Sequence, residues 1–153
     1  KILFTTPYLE NRQIIIVTDK SAVNSKADLA GKVVGVQDGS SAIEAIEKDG
    51  ATAKSLKELK KFGDNVTPLM DLSIGRLDAL VVDEVVGRYY TAKKPGEYRV
   101  LEENFGTEDY GVGTRKDDTE LMARLQKAMD EMKGDGSAAA ISNKWFGKDI
   151  VKK

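Results

Sequence analysis

Segments of β-branched and aliphatic residues alternate along this chain with segments of helical period, and few architectures accommodate that alternation. A strand joined to a parallel neighbour needs a crossover of about a dozen residues or more, which is what the helical segments supply. The class read from the pattern is α/β: an open, mainly parallel sheet with helices on both faces, followed by C-terminal helices. With 153 residues the chain is long enough for an ordinary domain with its own core.

Residues 13–18 are the first strand candidate, and their β-branched run suits a strand covered on both faces. Residues 31–36 form the second, stopping at Gln37-Asp38-Gly39-Ser40-Ser41, a turn that leads into a helix. Ser41 and Glu44 fit a capping box there, Ile43 and Ile46 lie one turn apart, and Gly50 is read as the stop. A third strand at 58–62 precedes a helix with Asn65 or Thr67 as N-cap and Pro68 in its first turn. Val66, Leu69, Met70, Ile74 and Leu77 recur at helical spacing and define the face expected to be buried. The apolar strand 78–83 and the helix 84–93 follow, then strands at 98–101 and 110–114. Asp117 and Glu120 suggest a second capping box before a helix with Leu121, Met122, Leu125, Met129 and Met132 on one face. The last helix carries Ile141 and Trp145 and ends at Gly147.

Composition removes several function classes. The chain has neither histidine nor cysteine, so the commonest general base, the thiol nucleophile and the usual zinc or copper ligands are absent. No metal or cofactor is expected. Lys and Arg total 24 against 25 Asp and Glu, without a long block of either sign, which argues against a nucleic-acid groove. The longest apolar run, Ile14-Ile15-Ile16-Val17, falls far short of the roughly 20 residues that cross a bilayer. Gly111-Val112-Gly113 lacks the third glycine of a dinucleotide fingerprint, and no phosphate-binding loop with its Gly-Lys pair occurs. Lys57, Lys60 and Lys61 are interspersed with acids and read as a solvated face.

Ligands of open parallel sheets bind beyond the carboxyl ends of the strands. Two strand ends here carry suitable groups. The turn Gly39-Ser40-Ser41 offers backbone N–H groups and two hydroxyls at a helix N-terminus, where the macrodipole favours an anion such as a carboxylate. Asp83 closes the apolar strand and offers a carboxylate to an ammonium group. Both also have a plainer role as helix caps, and the sequence leaves the two roles open. An anion-favouring turn and a carboxylate at one rim would suit the two charges of an amino-acid zwitterion.

Phe4-Thr5-Thr6-Pro7-Tyr8, the stretch Val33-Val34-Gly35-Val36-Gln37-Asp38-Gly39-Ser40-Ser41, Gly75-Arg76-Leu77-Asp78-Ala79-Leu80-Val81-Val82-Asp83, Tyr110-Gly111-Val112-Gly113, Asp135-Gly136 and Lys144-Trp145-Phe146-Gly147 resemble the polar amino-acid-binding proteins of bacterial ATP-driven importers. The resemblance spans the whole chain in order. It implies two α/β lobes joined by two crossing strands that close on one amino acid. Residues 1–6 would be the end of a first lobe and 7–110 the second lobe. Residues 111–153 would be the return crossing with helices that pack on the first lobe. Pro7 and Tyr8 would lie at one hinge strand, Tyr110 and Gly111 at the other. The resemblance further implies that Gly39, Ser40 and Ser41 hold the ligand α-carboxylate, that Asp83 holds its α-amino group, and that Gln37 faces its side chain.

A first lobe, with the arginine clamp and aromatic residue the family places there, is expected upstream of Lys1. In its absence the apolar faces around Leu121, Leu125, Met129 and Trp145 are expected to find cover in a homodimer. The expected partners are a free polar amino acid, with glutamine, cystine, arginine and histidine all open, and a membrane permease; nucleic acid is not among them. The implied location is extracytoplasmic, periplasmic or anchored at the cell surface. Two other readings share the architecture: a dehydratase acting on prephenate-like substrates, and the sensor domain of a membrane receptor. Catalysis is disfavoured because no His, Cys or second carboxylate stands beside the turn; Glu84 follows Asp83, but neighbours at a helix start point apart.

Overall fold

The structure is a computed structural model and describes residues 2–152. Along the chain run β1 (Ile2–Phe4), β2 (Leu9–Thr18), β3 (Val33–Gln37), α1 (Ser41–Lys48), α2 (Gly50–Ser55), β4 (Glu58–Phe62), α3 (Val66–Ser73), β5 (Ala79–Asp83), α4 (Glu84–Ala92), β6 (Tyr98–Tyr110), β7 (Gly113–Arg115), α5 (Thr119–Gly134) and α6 (Ser137–Phe146). The chain divides into two compact units. One is Arg12–Gly106; the other comprises the chain up to Asn11 and from Thr107 onward. Strands β2 and β6 each run from one unit into the other.

A five-stranded sheet has the order β4-β3-β5-β2-β6. Strand β3 pairs in parallel with β4 and β5, as helical crossovers dictate, whereas β2 lies antiparallel to β5. The sheet is thus mixed, and only its β4-β3-β5 part meets the parallel expectation. Because β3 and β5 are parallel neighbours, their carboxyl ends share one edge. In β2 the side chains alternate between the faces: Ile15 and Val17 join one apolar cluster with Val34, Val36 and Ile46, while Ile14 and Ile16 join another with Leu69, Leu72 and Leu77. Burying each such side chain stabilises by roughly 1.5–3 kcal/mol before entropic costs. At Gly87 a Cβ would lie 2.7 Å from Ile14 Cδ1, so only glycine lets α4 settle this closely on β2.

Four local expectations need correction. In α3, Leu69 and Leu72 are buried, but Val66, Met70 and the C-cap residue Ile74 are 45%, 60% and 63% exposed. The helix has two apolar stripes and the sheet covers one. Gly50 opens α2 instead of ending a longer helix, because Asp49 accepts from the Thr52 N–H and restarts the chain. Neither capping box forms: Ser40 and Asp118 occupy the N-cap positions of α1 and α5, and neither makes a side-chain cap bond. Residues 98–110 are one long strand, not a short one followed by a break.

In the other unit β1 pairs antiparallel with β7. Tyr8 N–H donates to the Tyr110 carbonyl at 2.9 Å, Thr5 N–H to Val112 at 3.0 Å, and the Pro7 carbonyl accepts from Lys133 Nζ at 2.9 Å. A Cβ on Gly111 would sit 3.3 Å from the Thr5 carbonyl oxygen, so the two segments run close together there. Helix α5 buries none of its residues fully.

Candidate functional site

Where β3 and β5 end side by side, a cleft of about 180 Å³ opens, lined by Gln37, Ser40, Ser41, Ala42, Asn65, Val81, Val82, Asp83 and Val86. Four of the five residues singled out as ligand-binding, Gln37, Ser40, Ser41 and Asp83, meet here. Gly39 does not line the cleft; with φ +67 it makes the left-handed turn that swings the chain from β3 into α1.

Local chemistry sets each of these groups. Ser40 has extended backbone angles at the start of α1, and its hydroxyl donates to the Gln37 carbonyl at 2.8 Å, tying the turn instead of capping the helix. Helix α1 begins at this rim with the Ile43 N–H donating to the Ser40 carbonyl at 3.2 Å, and the positive end of its dipole favours negative charge there. Asp83 occupies the N-cap position of α4 without a side-chain cap bond. Its carboxylate is held from the side by Gln13.

Gln13 was not legible as a site residue. It sits opposite Asp83 in the antiparallel register, is 3% exposed, and its Nε2 donates to Asp83 Oδ1 at 2.6 Å and to Ser41 Oγ at 3.0 Å. One amide thus ties the α1 start to the β5 end. The sequence signal was faint: a single polar residue opening a run of four apolar ones. From the sequence Asn65 reads only as a cap. Asp64 takes that role, accepting from Val66 and Thr67 N–H at 2.7 Å each. Asn65 Nδ2 instead donates to Gln37 Oε1 at 2.7 Å, and Asn65 Oδ1 is buried with no hydrogen-bond partner.

Glu84, the first residue of α4 and the neighbour of Asp83 in the chain, is 2% exposed. Arg12 grips it with Nε and Nη2, each at 2.6 Å, and Arg88 Nε adds a third bond at 2.6 Å. Burial pushes the Glu84 carboxyl upward, but the hydrogen bonds and charges of Arg12 and Arg88 outweigh it and hold the group below its ordinary range. Glu84 and Asp83 point to different partners, as adjacent positions at a helix start should. Among the described residues no cluster of acids has the arrangement of a metal site, and no helix is long and apolar enough to cross a membrane.

The family described as bacterial extracellular solute-binding proteins, family 3, matches residues 1–148. The chain is 30% identical to the L-cystine-binding protein TcyJ of Escherichia coli over 97% of its length and 55% of that protein's. It is 30% identical to the histidine-binding periplasmic protein of Salmonella typhimurium, over 98% of this chain and 60% of the relative. The chain spans little more than half the length of these curated relatives. Among solved structures, a substrate-binding protein of an ABC uptake transporter from Streptococcus pneumoniae with bound histidine superposes with a TM-score of 0.83 at 31% identity, over 100% of this chain and 64% of the other. An ancestral arginine-binding protein bound to glutamine is 36% identical with a TM-score of 0.74, covering 96% and 64%.

Proposed function

Because the chain belongs to the bacterial extracellular solute-binding proteins of family 3, we propose that it captures a free polar amino acid reversibly at the β3/β5 rim and delivers it to the permease of an ATP-driven importer. One observation supports this most: the cleft sets the electropositive start of α1 opposite the Asp83 carboxylate, a pair of charges complementary to an α-amino acid. The α-carboxylate would lie against Ser40 and Ser41, and the ammonium group would reach Asp83. Gln13 would preset both ends. The named relatives are binding proteins, in keeping with capture without covalent chemistry.

Pro7, Tyr8, Tyr110 and Gly111 would serve as the hinge strands, since Tyr8 and Tyr110 are paired where β2 and β6 lead from one unit to the other. It would act outside the cytoplasm, in a periplasm or at a cell surface, a reading supported by the family's description as extracellular and by a relative named as periplasmic. The exposed Leu121, Ile141 and Trp145 would pair two copies of the chain in a homodimer.

A thermal-unfolding screen against the twenty amino acids and cystine tests the reading. A ligand at about 100 times its dissociation constant adds roughly 2.7 kcal/mol of stability, a rise of several degrees in the midpoint. Asp83→Ala should abolish most of that rise, since a charge-assisted bond contributes about 1.5–3 kcal/mol. A midpoint that no amino acid moves rejects capture; a rise that survives Asp83→Ala rejects the assignment of the ammonium site.

A further inference from the structure

Resting on the amino-acid reading above, the geometry points to Asn65 as the residue that sets side-chain specificity. We infer that it selects a ligand bearing a primary carboxamide. The polar side chains lining the cleft are Gln37, Ser40, Ser41, Asn65 and Asp83. With the α1 start and Asp83 assigned to the zwitterion, Gln37 and Asn65 remain to meet the ligand's side chain.

Their orientation is coupled. A carboxamide has one acceptor oxygen and one two-proton donor nitrogen. Asn65 Nδ2 donates to Gln37 Oε1 at 2.7 Å, which occupies one lone pair of that oxygen and leaves the Gln37 Nε2 protons for another acceptor at the cleft. A ligand acceptor is therefore favoured there. The Asn65 Oδ1 is a buried acceptor without a partner, a state that costs free energy until an N–H reaches it. A ligand carboxamide satisfies both, its oxygen receiving from Gln37 and its NH₂ donating to Asn65. A guanidinium has no acceptor for Gln37, and a carboxylate has no donor for Asn65.

Titration calorimetry of the full chain with L-glutamine, L-glutamate and L-arginine tests this. Glutamine should bind most tightly. Asn65→Leu keeps the branched shape but removes both polar atoms of the amide, and the preference for glutamine over arginine should fall roughly five- to tenfold, the worth of one neutral hydrogen bond. Asn65→Asp can only accept from Gln37, so it turns that amide around and should make arginine the preferred ligand. A parent chain that binds arginine or glutamate as tightly as glutamine overturns the inference, as does a preference unchanged in both variants. Binding of no amino acid overturns the inference together with the reading it rests on. A measurement on the ligand-free parent chain reads the amide orientation directly: in side-chain amide NMR spectra Asn65 NH₂ should exchange slowly with water and Gln37 NH₂ rapidly. The reverse order of protection overturns the assignment.

Discussion

The two compact units dispose of their apolar side chains differently. In Arg12–Gly106 the sheet separates two apolar clusters, and Ile15, Val17, Leu29, Val34 and Val36 are 0% exposed. In the other unit α5 buries no residue fully, and Leu121, Met132, Ile141 and Trp145 are 55%, 37%, 47% and 51% exposed. The first unit can pay for its own ordering from a close-packed interior. The helices of the second keep an apolar face in reserve, and their individual side chains should matter less to the stability of the chain alone.

That contrast sets the order of mutational effects. Ile15→Ala removes a fully buried side chain from the middle of the sheet and should cost about 2–5 kcal/mol in urea unfolding. A cost below 1 kcal/mol would deny the first unit its rigid core. Next comes Glu84→Gln, which leaves Arg12 and Arg88 without their shared anion and should cost about 2–3 kcal/mol at neutral pH. The sign with pH follows from the lowered Glu84 pKa. Its stabilisation is fully present above the ordinary value of 4.5 and is lost as pH falls through the lower folded value. The parent chain should therefore lose stability below about pH 4.5 more steeply than the variant; parallel profiles would show that the arginines do not stabilise the charged form. Gly87→Ala, which forces a Cβ against Ile14 and Ile16, should cost about 1–3 kcal/mol by overpacking.

The same contrast governs what the sequence discloses. Strands β3, β4 and β5 were legible because each is a short apolar or alternating run bounded by turn residues, and the rim residues Gln37, Ser40, Ser41 and Asp83 follow from where those runs stop. Gln13 was hidden, since its importance depends on a register that brings it opposite a residue 70 positions away. In α3 the period alone could not say which of two apolar stripes meets the sheet, and Val66, Met70 and Ile74 proved to be the outer one. The caps were ambiguous for a local reason. Asp64, Asn65 and Thr67 can each bond nearby backbone, and only the pairing with Gln37 frees Asn65 from that task.

The smallest expected effect tests the second unit. Leu121→Ser combined with Trp145→Ser replaces two exposed apolar side chains, so at high dilution the unfolding free energy should change by no more than about 0.5 kcal/mol per site. If these residues join two copies of the chain, the parent's unfolding midpoint will rise with protein concentration, as association stabilises the folded state by mass action, and the double variant's will not. Light scattering should then report a dimer for the parent at micromolar concentration and a monomer for the variant. A parent that is monomeric, with a midpoint independent of concentration, would show that the exposed face of α5 and α6 is not self-complementary. A large loss of stability in the dilute variant would instead mean that these side chains support the fold of their own unit, and the contrast between the two units would fail.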